Sequence, residues 1–367
     1  MKISMERNQL LTPLQVAHAV VERRQTLPIL ANVLITATEH GFRLSATDLE
    51  VELSVPGTLE SCTAAGATTL PARKLLDLCR ALPDGTRLTI ETAADRATVR
   101  AGRSRFSLST LPAAEFPAID VNGDPLELVL PQGELRRAIE STHFAMAQQD
   151  VRYYLNGMLL EIQDGQARLV ATDGHRMAVT ELPVSPPDGV NRRIIVPRKT
   201  VIEALRLLAD DGTGATLGIG NDHLTLSAAD VVFKSKVIDG SFPDYERVIP
   251  RNQDKVLDVD RIALRDAMGR VAIFANEKYR SVRLQLQSGL LRLSANNTEN
   301  EEAEDELEVD YTGAELEIGF NVSYLIDALN ALRSASVRLH LSDAGSSCLI
   351  TEPAGGVSRY VIMPMRL

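Results

Sequence analysis

One sequence pattern occurs three times in this chain: TLPARKLLDLCRAL (residues 69–82), IVPRKTVIEALRLL (residues 195–208) and GFNVSYLIDALNAL (residues 319–332). The three segments align without gaps at offsets of 126 and 124 residues. Each contains apolar residues at helical spacing and an acid at its ninth position. A pattern that returns at a nearly fixed interval is typical of a tandem repeat.

Shorter matches surround this pattern and keep the same order. The triplets ATD (residues 46–48), ATD (residues 171–173) and ANN (residues 295–297) lie upstream, and Phe-Pro at residues 116–117 matches Phe-Pro at residues 242–243. Ordered matches at one spacing predict three domains of about 120 residues, a usual domain size. The predicted domains are residues 1–122, 123–251 and 252–367.

Each copy has the pattern of a helix, several strands, a second helix and further strands. Apolar residues recur at helical spacing in the helical stretches, and short alternating runs bounded by turn residues predict antiparallel strands. The predicted helices cover residues 7–24, 72–82, 132–148, 198–209, 260–275 and 322–333. The predicted strands of the first copy cover residues 33–38, 42–46, 51–55, 87–91, 98–101 and 105–110. This order predicts an α+β fold, with two helices packed on antiparallel sheets in each copy.

The composition is that of a globular protein with an aliphatic core. Hydrophobic residues make up 44% of the 367 residues and charged residues 24%, while aromatic residues are only 4% and Trp is absent. The three cysteines are odd in number and far apart, which predicts no disulfide framework, no metal site and a reducing compartment. The sequence has no signal-peptide pattern and no apolar run approaching 18 residues, so we expect a cytoplasmic protein.

Positive charge is concentrated in the predicted helices. They contain fifteen Lys or Arg residues and eight acids, a balance of +7, which leaves −17 for the rest of a chain whose net charge is −10. One interpretation is that Lys and Arg simply favour exposed helix faces, although Glu is an equally good helix former. The other is a basic helical surface that faces a polyanion. No base-reading motif accompanies it, so contact with phosphates would be independent of DNA sequence.

Two regions of opposite charge lie in the first and third copies. Residues 297–310 (NTENEEAEDELEVD) contain eight acids and no base, whereas Arg96, Arg100, Arg103 and Arg105 surround Phe106 and Leu108 in the first copy. The acidic run could be a solvated loop. Alternatively, a head of one charge and a tail of the other favour a heterologous contact that closes into a ring.

Seven segments resemble one family, the bacterial sliding clamp, which is the beta subunit of DNA polymerase III. They are TLPIL (residues 26–30), GRSRFSLSTLP (residues 102–112), QDVRYYLNG (residues 149–157), ATDGHR (residues 171–176), DGSFPDY (residues 239–245), IGFNVSY (residues 318–324) and MPMRL (residues 363–367). They occur in order along the whole chain, and they are long enough to be specific.

The resemblance implies the DNA clamp fold, a head-to-tail dimer of three-domain subunits that forms a six-domain ring lined by helices. It also implies a processivity factor with no catalysis, no cofactor and no metal. The implied partners are duplex DNA, the DNA polymerase III catalytic subunit, the clamp loader, and other polymerases and repair proteins that bind through short linear motifs. No membrane is among them.

The resemblance also implies three sets of functional residues. The DNA-contacting set is Arg24, Arg73, Arg103, Arg105, Gln149, Arg152, Tyr154, Arg198 and Lys199. The pocket for partner peptides is Leu155, Thr172, Gly174, His175, Arg176, Met177, Pro243, Arg247, Val248, Asn321, Tyr324, Val361, Met363, Pro364 and Met365. The expected dimer interface is Arg96, Arg103, Arg105, Phe106, Leu108, Ile273, Phe274, Glu299, Glu301, Glu302 and Glu304.

Several alternatives remain at this point. Ile273 and Phe274 could belong to their own domain's core, and the apolar C-terminal segment could be an ordinary closing strand. Asp173 and His175 could suggest an enzyme, but no nucleophile or metal set accompanies them. Residues 218–220 (GIG) lack the third Gly and the Lys of a phosphate-binding loop. A scaffold that oligomerises without binding DNA is the remaining rival, which the charge of the helices disfavours.

Overall fold

The computed structural model describes residues 1–21, 27–121, 123–187 and 189–366. Six α-helices occur among these residues, one for each predicted helix. They are α1 (Arg7–His18), α2 (Ala72–Ala81), α3 (Gln132–Glu140), α4 (Arg198–Leu207), α5 (Arg261–Ala272) and α6 (Val322–Ala331). None of the helices in the described ranges is long and apolar enough to span a membrane.

Most helices are shorter than the sequence predicts, and local hydrogen bonds explain the largest difference. The helix predicted over residues 132–148 ends at Glu140, and a 3₁₀ turn follows at His143–Ala145. The hydroxyls of Ser141 and Thr142 donate to the carbonyl of Ala138 (2.9 and 2.7 Å), a bond that competes with continuation of the helix.

The chain folds as two compact units. Unit 1 comprises Met1–Gln132 and Arg206–Val237, and unit 2 comprises Gly133–Leu205 and Ile238–Leu367, of which Leu367 is outside the described residues. Each unit contains one eight-stranded and one smaller sheet, and all the strand pairs are antiparallel.

Unit 1 contains sheets I and II. Sheet I has the order β5 (Ser61–Ala64), β1 (Lys2–Glu6), β7 (Arg87–Ala93), β8 (Arg96–Ala101), β9 (Ser104–Ser109). Sheet II has the order β10 (Leu126–Pro131), β15 (Gly214–Ile219), β16 (His223–Ala228), β17 (Val231–Lys236), β4 (Val51–Gly57), β3 (Phe42–Thr47), β2 (Asn32–Ala37), β6 (Gly66–Pro71). Sheet II therefore combines strands of the first and second repeats.

Unit 2 contains sheets III and IV. Sheet III has the order β14 (Arg192–Pro197), β11 (Gly157–Gln163), β12 (Gln166–Thr172), β13 (Arg176–Pro183), β25 (Ser358–Ile362), β24 (Cys348–Thr351), β23 (Ser336–Leu341), β18 (Lys255–Asp260). Sheet IV has the order β21 (Glu302–Glu308), β20 (Leu290–Asn296), β19 (Ser281–Gln287), β22 (Leu316–Asn321). Sheet III combines strands of the second and third repeats.

Three of the helix arginines bind carbonyl groups of the neighbouring helix or the residues just after it. Arg7 Nε donates to Cys79 O (2.8 Å), Arg136 Nη1 donates to Leu205 O (2.8 Å), and Arg261 Nε donates to Ser334 O (2.7 Å). A cation at the carbonyl end of a helix satisfies groups that lack a partner within that helix. These arginines therefore hold helix pairs together.

The buried core is mostly aliphatic, as the composition predicts. The three cysteines are free thiols, with Cys62 partly exposed and Cys79 and Cys348 buried. Burial raises the pKa of Cys79 to about 11 and the pKa of Cys348 to about 12, so both thiols are protonated at neutral pH.

Candidate functional site

Two places in the fold join strands of neighbouring repeats. We call the pairing of β4 with β17 in sheet II the first junction, and the pairing of β13 with β25 in sheet III the second junction. The peptide pocket that the resemblance implies draws its residues from the second junction and its surroundings, all of them in unit 2.

A tight turn between β12 and β13 forms one edge of the second junction. Thr172 Oγ1 donates to Arg176 O (2.7 Å) and accepts from the N–H of Gly174 (3.1 Å). Gly174 has a φ of +89°, and a Cβ atom there would lie 3.0 Å from Nη2 of Arg152. Glycine suits this position because the backbone is left-handed and a Cβ would press on the guanidinium of Arg152.

Arg176 lies beneath this turn with its side chain only 13% exposed. Its guanidinium donates to Asp173 Oδ2 (3.1 Å), to Asp327 Oδ2 (2.5 Å) and to the carbonyl of Phe144 (2.7 Å). It also lies 4.5 Å from the ring centroid of Tyr324, a cation–π contact. Because all three nitrogens are engaged within the protein, Arg176 positions the wall of the pocket and has little donor capacity left for a ligand.

Sequence reasoning missed the three residues that support Arg176. They are Phe144, Asp173 and Asp327. Two of them carried a signal in the sequence: Asp327 is the acid at the ninth position of the third repeat, and Asp173 ends the repeated ATD triplet.

The C-terminal segment forms the opposite edge of the second junction. Val361 pairs with Met177 in the sheet, and beyond the strand the N–H of Met363 donates to His175 O (2.9 Å). The N–H of Met365 donates to Gly319 O (2.8 Å). The segment is therefore a closing strand as far as Ile362, and its last residues continue as a strap.

The predicted pocket residues differ in exposure. Gly174, His175, Pro243, Arg247, Val248 and Met363 are exposed; Thr172, Arg176, Asn321, Tyr324, Pro364 and Met365 are half-buried; Leu155, Met177 and Val361 are buried. Met177 and Val361 belong to a hydrophobic cluster with Tyr245 and Phe242. The structure thus gives an apolar floor beneath a partly exposed surface.

The first junction repeats this backbone geometry. Thr47 Oγ1 donates to Val51 O (2.8 Å) and accepts from the N–H of Leu49 (3.1 Å), whose φ is +79°. The N–H of Lys236 donates to Glu50 O (2.9 Å), as Met363 does to His175. The two turns and the strands beside them are therefore copies of one arrangement.

The side chains beneath the two turns differ. Met177 and Val361 correspond to Glu52 and Lys234, by their places in the paired strands. Glu52 is 8% exposed, and its Oε1 lies 3.1 Å from Lys234 Nζ. Its Oε2 accepts from the N–H of Ile119 (2.6 Å). The first junction therefore has an ion pair where the second has an apolar floor.

The predicted DNA-contacting residues of unit 1 are exposed cations. Arg73 lies on α2, where it faces Asp77 at 3.8 Å, and Arg103 and Arg105 lie at the turn before β9 and on β9. Arg24 lies outside the described residues.

The predicted DNA-contacting residues of unit 2 are more constrained. Gln149 and Arg152 are exposed, and Asp150 holds Arg152 through bonds to Nε (3.0 Å) and Nη2 (2.9 Å). The side-chain bond from Arg152 lowers the pKa of Asp150 to about 2. Arg198 is half-buried and donates to Met146 O (3.3 Å), and burial lowers its pKa. Lys199 and Tyr154 are half-buried.

The predicted dimer-interface residues lie at two sheet edges, one in each unit. On β9, Phe106 and Leu108 are half-buried, while Arg105 is exposed. Within the acidic run of residues 297–310 lies β21, at the edge of sheet IV, where Glu302 and Glu304 are exposed. The other residues of that set flank these edges: Arg96 begins β8, Glu299 and Glu301 lie in the turn before β21, and Ile273 and Phe274 follow α5.

Ile273 is 76% exposed, so it does not belong to the core of its own domain. Phe274 is half-buried.

The residues that could suggest an enzyme have structural roles. Asp173 binds the turn and Arg176, and His175 is an exposed turn residue. Gly218 lies within the strand β15, whereas a phosphate-binding loop would require an open turn at this position. Among the described residues, no group of three or more His, Cys, Asp or Glu side chains could hold a metal ion.

Comparison with known proteins matches the chain in three consecutive parts. The family models match at residues 1–120, 129–244 and 246–366, described respectively as the N-terminal, central and C-terminal domains of the DNA polymerase III beta subunit. Beta sliding clamps from Pseudomonas aeruginosa and Escherichia coli K12 are 50% and 48% identical, with full coverage of both chains.

Solved structures give the same result. The crystal structure of the DNA polymerase III subunit beta from Pseudomonas aeruginosa has a TM-score of 0.96 at 49% identity, with full coverage of both chains. That of the DNA polymerase sliding clamp from Caulobacter crescentus has a TM-score of 0.93 at 39% identity, also with full coverage. The resemblance seen in the sequence is confirmed, and the chain belongs to the DNA polymerase III beta subunit family of sliding clamps, with three clamp domains.

Proposed function

We propose that two copies of this chain join head to tail into a ring around duplex DNA. The ring would tether the DNA polymerase III catalytic subunit, other polymerases and repair proteins, and a clamp loader would place it on DNA in the cytoplasm. The family is one of non-catalytic processivity factors. A scaffold without DNA binding is not favoured by these relatives.

The strand order of the two smaller sheets is the observation that supports the proposed dimer. In sheet II the strands β10-β15-β16-β17 continue directly into β4-β3-β2-β6. Four strands of sheet I, β1-β7-β8-β9, are the repeat counterparts of β10-β15-β16-β17. The four strands of sheet IV, β21-β20-β19-β22, are the counterparts of β4-β3-β2-β6. Among the described residues of each unit, β9 and β21 are edge strands. An edge strand offers unpaired backbone groups to another chain, so β9 of one copy and β21 of a second copy would complete an eight-stranded sheet.

The register of the complete junction predicts the register of this contact. β9 pairs with β8 as β17 pairs with β16, so β9 corresponds to β17. In the same way β21 pairs with β20 as β4 pairs with β3, so β21 corresponds to β4. The observed β17–β4 register then gives three cross-copy pairs: Arg105 with Glu304, Phe106 with Ala303, and Ser107 with Glu302. The apolar residues should contribute most of the affinity, since exposed ion pairs at a rim are screened by salt.

A disulfide cross-link tests this register. In a Cys62→Ser background, we expect Arg105→Cys combined with Glu304→Cys to form a covalent dimer on mild oxidation, because directly opposed Cβ atoms are close enough. The control pair Arg105→Cys with Glu302→Cys is offset by two residues and should cross-link poorly. Equal yields from both pairs would contradict the register.

Ile273 and Phe274 test dimer formation itself. Changing both to Asp should give a folded monomer by light scattering and circular dichroism, because Ile273 is exposed in the isolated chain. An unfolded product would mean that the pair supports its own domain, and a folded dimer would contradict the proposed interface.

Retention on DNA tests the ring. A closed ring is held by topology, so the loaded protein should stay on circular plasmid at salt that releases ordinary phosphate-binding proteins. It should leave after one linearising cut. Persistence on cut, unblocked DNA would indicate a binding protein instead of a clamp.

The second junction is proposed as the groove for partner peptides of the Gln-x-x-Leu-x-Phe type, one per chain. Its apolar floor and the flexible side chains of Met363 and Met365 suit varied apolar ligands. Met365→Asp, or deletion of residues 363–367, should abolish binding of such a peptide in a fluorescence-polarisation titration. Ring formation and retention on circular DNA should be unchanged. Unaltered peptide affinity would place the groove elsewhere.

A further inference from the structure

A cavity of about 460 Å³ lies at the first junction, beside the turn that copies the peptide-groove turn. Its apolar lining includes Leu49, Pro117 and Val237. Pro117 stands at the repeat position of Pro243, and Leu49 at that of Gly174. The cavity therefore occupies in unit 1 the place that the proposed peptide groove occupies in unit 2.

A buried histidine lines this cavity with one nitrogen unsatisfied. His223 is 2% exposed, and its Nδ1 lies 2.6 Å from Asp222 Oδ1. Its Nε2 has no hydrogen-bond partner among the described residues. The ring occupies the space where a Cβ on residue 220 would stand, 2.5 Å away, so Gly220 is what allows the ring to lie there.

The protonation of this pair determines what Nε2 can bind. The bond from His223 holds the pKa of Asp222 below its ordinary value, so the carboxylate is ionised at neutral pH and can only accept. Nδ1 must then carry the proton, and in the neutral ring Nε2 is an acceptor. A buried acceptor without a partner costs free energy that a donating ligand would recover.

The charges around the cavity favour a cation. Asp120 and Asp222 are exposed carboxylates of the lining. Lys236 also lines the cavity, but its Nζ lies 3.7 Å from Glu50, which offsets its charge. The remaining charge near the opening is negative, and a positively charged group is the complement.

We propose that this cavity is a second peptide site, which binds a segment with an apolar side chain followed by arginine or lysine. The apolar side chain packs on Leu49, Pro117 and Val237, a backbone N–H donates to His223 Nε2, and the cation lies near Asp120 and Asp222. The site differs in specificity from the groove at the second junction. This inference rests on the proposed function in one respect, since the turn beside the cavity has the same geometry as the turn of the proposed peptide groove.

The test uses the full-length protein labelled with ¹⁵N-histidine and the probe acetyl-Leu-Arg-amide. Asp222→Asn, at an exposed position, assigns the His223 resonances through the direct contact. We expect the probe to produce a saturable shift of the His223 Nε2 resonance. Asp120→Asn should weaken the probe by about fivefold, since it removes one exposed charge from the site. Met365→Asp should leave probe binding unchanged.

Three results would overturn the inference: no saturable shift at millimolar probe, equal binding of acetyl-Leu-Glu-amide, or loss of probe binding in Met365→Asp. A Gln-x-x-Leu-x-Phe peptide titrated in parallel separates the two proposals. If that peptide fails while the dipeptide binds, the groove at the second junction is wrong and this site stands. The reverse result removes this site alone.

Discussion

The two junctions have one backbone arrangement and two different interiors. Both turns use a Thr hydroxyl to bind the carbonyl four residues on, and in both the neighbouring segment donates a backbone N–H to a turn carbonyl, from Lys236 to Glu50 and from Met363 to His175. At the second junction Met177 and Val361 are buried in a hydrophobic cluster. At the first, Glu52 and Lys234 take their places.

The difference shows how one repeat can give two surfaces. A buried carboxylate is tolerated only when it is paired and hydrogen-bonded, and Glu52 meets both conditions through Lys234 and the N–H of Ile119. Lys234 in turn donates to Ile119 O (3.2 Å). The ion pair therefore fixes the chain at residue 119 and leaves no apolar floor. Met177 and Val361 make no such polar contact with a neighbouring segment, and they form the apolar floor of the second junction.

The residue at the tip of each turn differs for a related reason. Leu49 and Gly174 both have positive φ values, +79° and +89°. A leucine there costs on the order of 1 kcal/mol. At the second junction a Cβ would lie 3.0 Å from Nη2 of Arg152, so a side chain there would also have to displace that guanidinium.

The largest expected effect comes from Arg176, whose counterpart at the first junction is Val51. We expect Arg176→Ala to lower the free energy of unfolding by about 3 kcal/mol, because it leaves Asp173 and Asp327 without their cation and removes the contact with Tyr324. Peptide affinity should fall as well. Urea unfolding and peptide titration would measure the two effects.

The control for that change is Arg247→Ala. Arg247 is also a predicted pocket residue, but its side chain is 86% exposed, so its removal should leave the unfolding free energy unchanged. Equal destabilisation by both substitutions would mean that the buried contacts of Arg176 contribute nothing special.

A smaller effect is expected at the first junction. Glu52→Met should cost about 2 kcal/mol, since Lys234 and the N–H of Ile119 both lose their partner. Adding Lys234→Val recreates the apolar pair of the second junction, so the double variant should cost less than the two single changes together. Glu50→Met, at an exposed position, is the control and should be neutral. Additive costs would show that Glu52 and Lys234 are not coupled.

The smallest expected effect is on the pH dependence of stability, through the pair of Asp150 and Arg152. The first junction lacks this pair because Leu27 stands at the repeat position of Arg152. The pKa of Asp150 is lowered from 3.8 to about 2 in the folded protein. A carboxyl group whose pKa is lowered on folding stabilises the folded state at pH values above its ordinary pKa of 3.8. This contribution is lost as the pH falls through the folded pKa of about 2. We expect an NMR titration of the carboxyl to have its midpoint near 2.

Arg152→Gln is the matched change for that titration. It should move the midpoint back towards 3.8, because the side-chain bond from Arg152 is the main cause of the lowered pKa. A midpoint near 3.8 in the unaltered protein would contradict the hydrogen-bonded pair.

The helices and strands were largely predictable from the sequence because their signals are local. Six helices and six strands of the first copy follow from apolar spacing, and they differ from the structure mainly at their ends, as where the hydroxyls of Ser141 and Thr142 compete with the helix. The strands β1, β5 and β6 of that copy were not predicted. The site was less predictable. Arg176 reads as a cation available to a ligand, and only its contacts with Phe144, 32 residues earlier, and Asp327, 151 residues later, show that it is already bound.

The sequence by itself determined the three copies, their α+β element order, the excess of positive charge in the helices and the family. Each of these depends on neighbouring residues or on matches between copies. Only the tertiary structure decided which charges remain available: Arg7, Arg136 and Arg261 bind carbonyls of residues about 70 positions away, and Arg105 remains exposed at a sheet edge. It also decided that Glu52 meets Lys234 across the first junction. The physical reason is that hydrogen bonds and burial depend on distance in space, which the spacing of residues along a chain does not contain.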